Sequence, residues 1–479
     1  MTILWIALGA AAALLVLVLT VRTILFRPRP IPTVDATPIE FDRDAATEAL
    51  RALVTCRTVS RYERADEEDG EFERLVDLLP TLYPRAYEAL TLRRFDGRAL
   101  LFYWKGREAG PATVLMAHYD VVPVDESGWE KLPFDGVLEN GVLWGRGTLD
   151  TKATLNGALF AVDHLIGEGF VPAHDVYLAF SGGEEVNGVG AKNIVEYFRT
   201  EGIEVALVLD EGGAVVERVF PGVSTPAAVV GIAEKGMLDL EYRVRSSGGH
   251  ASAPRPHTPV TRLAAACTAV LRHPPRMRLS APTREMFDTL GRHSSLLYRV
   301  IFANLWCFGP LLGWLGKTQG GELGAMIRTT VAFTRMRGSD ANNVLPTEAA
   351  MVSNIRLAPG DTVDGMIEHL RRAIDDKEVE LCPIQGTDPS RVSRTDCEGY
   401  ARLADAIRAT WGGAIVTPYL MMQCSDSRHW GAVSDRVYRF SAMDLTAEER
   451  RTIHGHNERI RLDAVGRCVE FYIRLLRKS

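Results

Sequence analysis

Cysteine is scarce and poorly placed for a framework: seven residues (56, 267, 307, 382, 397, 424 and 468), odd in number and without a CxxC pair. This excludes a disulfide scaffold and a cysteine zinc site, and the cysteines read as small core residues. Charge of one sign is lacking as well. The net charge is −6 with acids and bases mixed along the chain, so there is no clustered Lys and Arg face for phosphates, and nucleic acid is excluded as a partner. Internal repeats and low-complexity tracts are absent. Long uncharged apolar runs are missing too, with one exception. The first 21 residues, MTILWIALGAAAALLVLVLTV, carry no charged side chain, and as a helix they would cross about 30 Å of hydrocarbon. Arg22, Arg27 and Arg29 close this segment, and RPRPIPT supplies a stiff spacer. A cleaved signal peptide is the competing reading. No basic stretch precedes the run and no small-residue cleavage site follows it, which favours a retained single-helix membrane anchor. The positive-inside rule would put the arginine side, and the body with it, in the cytoplasm, but three arginines leave the side open.

What is present is a chain of 479 residues, 46% hydrophobic, long enough for two domains and apolar enough to fill their cores. From residue 40 onward helical stretches alternate with short apolar runs, the pattern of an α/β domain with a mostly parallel sheet flanked by helices. Three runs stand out: ATVLMAH (112–118), DVYLAFS (175–181) and EVALVLD (204–210). Each is continuously apolar, as a strand covered on both faces must be. Each also ends in groups able to hold a metal: His118 and Asp120, Glu184 and Glu185, Asp210 and Glu211. Ligands collect at the carboxyl ends of strands in parallel sheets, so one shared site is expected. Near residue 237 the pattern changes. GMLDLEYRVRSS and AAMVSNIRLAP alternate apolar and polar residues, the mark of half-buried strands, and an inserted α+β domain over 237–376 follows. Within it LLYRVIFANLWCFGPLLGWLG (296–316) is interrupted by Arg299, Asn304 and a Gly-Pro pair, too broken for a spanning helix. A packed apolar cover is the first reading, with an acyl-chain pocket or a membrane-dipping surface as alternatives.

Taken singly, the polar residues have ordinary explanations: Asp150 in GRGTLDTKA as a helix N-cap, SGGEEVNG as an acidic loop, His454 in TIHGHNERI as a surface histidine. Together they supply two histidines and several carboxylates, the ligand set of zinc and similar divalent ions. Two metals bridged by one carboxylate and one water would be an economical arrangement.

The ordered motifs HYD, GRGTLD, SGGEE, LDEGG, GGHAS, NVLP and IHGHNE resemble the dizinc peptidase family of aminoacylase, succinyl-diaminopimelate desuccinylase and glutamate carboxypeptidase, a resemblance that extends over residues 45–470. QCSDSRHW and FANLWCFGPLLGWL look like its Gly-Xaa carboxypeptidase and N-fatty-acyl-amino-acid hydrolase branch. The resemblance implies a zinc peptidase catalytic domain in two parts, 38–236 and 377–479, an inserted lid or dimerisation domain at 237–376, and residues 1–30 as anchor and basic flank. It implies two zinc ions, with cobalt or manganese as substitutes. His118 and Glu211 would serve one ion, Glu185 and His454 the other, and Asp150 would bridge them. Asp120 would orient His118, and Glu184 would be the general base. For the last carboxylate Asp210 remains an alternative to Glu211, and His456 competes with His454. His250 would stabilise the oxyanion, often from a partner subunit, which makes a homodimer an expectation. Asn343 and Arg356 would bind substrate, although Arg356 reads equally well as a structural ion-pair partner. The expected reaction is hydrolysis of an amide in an N-acyl amino acid or small peptide with a free carboxylate. Alternatives are a metal-holding scaffold without catalysis, or a dipeptide exopeptidase with no lipid substrate.

Overall fold

Eight strands build the main sheet: β1 (Thr91–Phe95), β2 (Ala99–Trp104), β3 (Ala112–His118), β4 (Val176–Ser181), β5 (Val205–Val216), β6 (Ala227–Glu234), β7 (Ile415–Met421) and β8 (Val437–Leu445). The computed structural model describes all 479 residues. Across the sheet the order is β1-β2-β4-β3-β5-β8-β6-β7. The centre is parallel, β4 with β3, β3 with β5 and β5 with β8, while β1, β2 and the β8–β6 junction pair antiparallel. The continuous apolar runs have the cause expected of them. In β3, Leu115 and Ala117 face a core that includes Leu155, Leu159 and Val162 of helix Lys152–Gly167 and Phe471 of helix Leu462–Leu476. Val114 and Met116 face the opposite core, with Ile194, Phe198 and Trp430. The two helices approach closely at Gly157, where a Cβ would lie 2.5 Å from Cys468 Sγ.

One strand is longer than its apolar run. β5 does not stop at Asp210 but continues to Val216, with Glu211 inside it. Its ladder with β8 shifts register between Arg439 and Phe440, opposite Asp210 and Gly213. Such a bulge re-aims side chains without ending the strand.

A second sheet of four antiparallel strands, in the order Thr330–Arg337, Glu348–Leu357, Gly236–Arg245, Glu380–Thr387, is covered by helices Pro259–Arg272 and Val363–Ile374. The alternation read in GMLDLEYRVR appears directly, with Leu238, Leu240, Tyr242 and Val244 buried between less buried neighbours. This sheet draws its last strand from beyond residue 376. Glu380–Thr387 pairs along Gly236–Arg245 and supplies partners for backbone groups that would otherwise form an open edge.

The N-terminal helix α1 (Thr2–Leu25) is exposed along nearly its whole length. Helices α2 (Leu296–Ala303) and α3 (Leu305–Thr318) meet at a bend of 104°. They do not cover the small sheet. With helix Ala281–His293 they pack on the edge of the main sheet, where Phe287, Phe302, Leu312 and Ile327 meet Phe220, Ala227 and Ile415.

Candidate metal centre and active site

His118 is the last residue of β3, which delivers its ring to the carboxyl edge of the sheet. Its Nδ1 lies 2.9 Å from the Asp120 carbonyl oxygen. Its Nε2 lies 3.0 Å from Asp150 Oδ1 and 3.4 Å from Glu211 Oε1. The Asp120 carboxylate is also engaged: it accepts the backbone N–H groups of Glu184 and Glu185, each at 3.1 Å, and the Ser60 hydroxyl at 2.8 Å. One buried aspartate therefore ties the end of β3 to the loop after β4.

Across the site, His454 Nε2 lies 2.9 Å from Asp150 Oδ2 and 3.2 Å from Glu185 Oε1. Each oxygen of Asp150 thus faces a different imidazole. His454 has a left-handed backbone, φ +59°, a conformation histidine adopts more readily than most residues and one that concentrates at functional sites. Glu185 Oε1 is buried, with the His454 imidazole as its ion-pair partner. Ligand atoms of His118, Asp150 and Glu185, and separately those of His118, Glu184 and Glu211, lie within 4.8 Å of one another.

Three ambiguities of the sequence have geometric outcomes. Asp210 turns away from the cluster, its Oδ2 accepting the Ser427 N–H at 2.9 Å, while Glu211 faces His118. The His456 ring lies over Gly128, where a Cβ would be 2.6 Å from it, and only His454 reaches the carboxylates. Asp150 is not a helix cap, because the helix begins at Lys152 behind Thr151, whose side chain makes no capping bond.

The Asp150 loop is held by a residue to which the sequence pattern assigned no role. Glu458 is fully buried; its Oε1 accepts N–H groups from Gly147 (3.1 Å), Leu149 (2.7 Å) and Asp150 (3.2 Å), and its Oε2 accepts Arg146 Nη1 at 2.6 Å. The signal was the acid of IHGHNE itself, but the partners lie more than 300 residues away. Asp426 and Glu234 were missed likewise. Asp426 accepts the Ser181 hydroxyl and keeps a buried, unpartnered Oδ1. Glu234 is paired with Arg439 at 2.6 Å and accepts the hydroxyls of Ser425 and Ser427, fixing the loop after β7.

The remaining expected residues lie elsewhere. His250 is exposed on a two-residue strand paired with Val344–Leu345, its Nδ1 accepting the Ser252 N–H at 3.1 Å, and the Asn343 carbonyl accepts the Ala251 N–H beside it. Neither makes a hydrogen bond to the carboxylate cluster. Arg356, on strand Glu348–Leu357, reaches the loop after β7 by donating to Cys424 Sγ at 3.5 Å; its Nε donates to Asn354 Oδ1 and no carboxylate pairs with it.

The charge balance suits cations. Burial pushes the carboxyls of Glu184 and Glu185 up and raises Glu211 to about 8. Burial opposes charge on His118, but the Glu211 carboxylate and hydrogen bonds to Asp120, Asp150 and Glu211 hold its pKa well above the ordinary value. Hydrogen bonds to Asp150 and Glu185 lift His454 to about 10. Asp150, despite burial, is held low by the two imidazoles. A proton shared between such nitrogen and oxygen donors is displaced when a divalent cation binds them. The donor set of imidazole and carboxylate, with each Asp150 oxygen facing a different imidazole, fits such ions.

Comparison with known proteins identifies the family. The model of the family described as peptidase family M20/M25/M40 matches residues 114–478. A carboxypeptidase S-like protein of Dictyostelium discoideum is 34% identical over 442 residues, 90% of this chain and 84% of its own length. An N-fatty-acyl-amino acid synthase/hydrolase of Xenopus tropicalis is 32% identical over 494 residues, 99% of this chain and 96% of its own. Among solved structures, an M20 family metallo-carboxypeptidase of Sulfolobus solfataricus shares the fold with TM-score 0.67 at 18% identity, covering 90% of this chain and 98% of that one. With a matching family model over most of its length and two extensive relatives above 30% identity, the chain belongs to peptidase family M20/M25/M40 and is a metal-dependent hydrolase.

Proposed function

We propose that the chain hydrolyses the amide bond of N-acyl amino acids or small peptides bearing a free carboxylate, using two zinc ions for which cobalt or manganese can substitute. The observation that carries this reading is Asp150 presenting one oxygen to each of two imidazoles. His118, Asp150 and Glu211 would hold one ion, and Asp150, Glu185 and His454 the other. When bound, such ions supply Lewis acidity and lower the pKa of a water. Glu184 is the base: it takes a proton from the attacking water as the new C–O bond forms and delivers it to the amine nitrogen as the C–N bond breaks. Burial beside other acids raises its pKa, which suits a group that must both accept and return a proton. Asp120 keeps Glu184 and Glu185 in register with His118 through its two backbone bonds.

His250 would donate to the oxyanion, reaching it by movement of the small sheet or from a second copy of the chain. Arg356, free of a carboxylate partner, would take the substrate carboxylate through paired hydrogen bonds, with Asn343 beside it. The N-fatty-acyl activity named for the Xenopus tropicalis relative favours long-acyl substrates over dipeptides. The α1 helix is read as a retained anchor.

The test is release of free amino acid by the purified full chain loaded with zinc or cobalt. Glu184→Gln should lower turnover about 10²- to 10⁴-fold with bound metal unchanged; unchanged turnover removes Glu184 from its role. An inert, metal-loaded wild type across N-acyl amino acids and dipeptides would leave a scaffold protein.

A further inference from the structure

We propose that the outer face of α2 and α3 is a second membrane contact, embedded in the same bilayer leaflet as the arginine-flanked end of α1, so that the enzyme body lies against lipid and does not hang from a tether. The proposal rests on α1 being a retained anchor.

The helix pair has two faces. Phe302, Ala303, Leu312 and Gly316 point inward and are buried, the Phe302 ring lying tilted against Phe220 at 4.5 Å between centroids. Outward lie Leu296 and Leu297, each 70% exposed, Trp306 at 57%, Trp314 at 59% and Leu311 at 46%. Scattered exposed apolar residues are ordinary, but five large ones on one short helix pair mark an interaction surface. With 8 and 14 residues and a 104° bend, neither helix is fit to span, and the pair has the form of an element lying in the bilayer interface.

The attachment to α1 identifies lipid as the occupant. Asn304, the buried residue at the bend, donates to the Leu19 carbonyl and the Thr23 hydroxyl, both at 3.4 Å, and Arg22 Nε donates to the Ala303 carbonyl at 3.1 Å. Thr23 is the one buried residue of α1. Leu19 stands six residues before the helix end at Leu25, about 9 Å along the axis. An α1 that spans therefore holds the bend of α2 and α3 at the depth of its own last turns, near the edge of the hydrocarbon. The chain after α1 is docked as well: the Arg292 guanidinium lies 4.4 Å from the Phe26 ring centroid and donates to the Arg27 carbonyl, and Arg29 pairs with Asp288 at 2.8 Å. These bonds keep the body from swinging away. Trp306 and Trp314 are of the residue type that settles at the headgroup level, and Arg27 and Lys317 add charge suited to anionic lipid.

The experiment is fluorescence quenching of the full chain in vesicles of phosphatidylcholine and phosphatidylglycerol with brominated acyl chains. Three tryptophans are exposed, Trp5, Trp306 and Trp314, two of them on this face. The W306F/W314F chain should lose roughly two-thirds of the bromine-sensitive signal, two of three, and W5F roughly one-third. Hydrolysis of a short-acyl substrate by W306F/W314F should equal wild type, showing that the fold is kept. Quenching that is the same with and without Trp306 and Trp314 overturns the proposal. So does a doubled mass on crosslinking that W306F/W314F abolishes, which would mean a second copy, or a selective loss of long-acyl turnover without loss of quenching, which would mean a substrate pocket. The intact mass of the membrane-bound chain separates the two levels: a chain cut before the body refutes the anchor and the proposal with it, whereas an intact chain without quenching refutes this surface alone.

Discussion

The carboxylate cluster and the His250 ladder are built in opposite ways. His118, Asp120 and Asp150 have side chains 2%, 0% and 16% exposed and are cross-tied through Ser60, Glu184, Glu185 and Glu458. His250 lies within, and Asn343 beside, a separate two-residue ladder; the His250 ring there is bonded only to Ser252. The groups proposed to hold ions lie where several independent contacts determine each position. The groups proposed to meet substrate lie on the exposed ladder, where an element that closes over a ligand belongs.

That contrast can be broken most sharply at its centre. Asp150→Ala removes the one carboxylate shared by both imidazoles, so bound metal and hydrolysis should both fall to background; metal content by atomic emission alongside an activity assay checks this. On the other side, His250→Ala should lower kcat about 10²- to 10³-fold while metal content stays at the wild-type level. Loss of metal in that variant would show the two regions to be one unit. Glu458→Gln touches no proposed ligand side chain, yet it weakens the anchor of the Asp150 loop. A fall of roughly 10- to 100-fold in metal affinity or activity is expected, measured by competition with a chelator.

The smallest effect is expected at the rim of the rigid region. Asp444 accepts hydrogen bonds from Arg461, Arg467 and Trp411. Burial alone would raise its pKa, but those partners, Arg461 and Trp411 foremost, hold it below the usual 3.8. A carboxyl depressed in the folded state adds stability that is present above the unfolded value and lost as pH falls through the folded one. Asp444→Asn should lower Tm at neutral pH and flatten the further loss of Tm between about pH 5 and pH 3; thermal melts across that range decide it.

Much of the arrangement was legible because strands covered on both faces write continuous apolar runs, and those runs ended at His118 and at Ser181 before Glu184 and Glu185. The alternating strand at Gly236–Arg245 was legible for the same reason, one face buried and one less so. β5 misled, because a strand that continues through a bulge gives the same apolar-then-acidic pattern as one that ends. Glu458, Asp426 and Glu234 escaped because an acid satisfied by distant backbone and hydroxyl groups reads like a solvated one.

Local pattern alone determined which residue types stand at which strand ends, and that one N-terminal run is long and apolar enough to cross a membrane. Only tertiary structure decided that Asp150 faces two histidines and is not a helix cap, that Glu211 and not Asp210 faces His118, and that the α2–α3 bend is fastened to the foot of α1. The reason is physical. Burial and periodicity are properties of neighbours along the chain, whereas the direction of a carboxylate is set by donors that folding brings from hundreds of residues away.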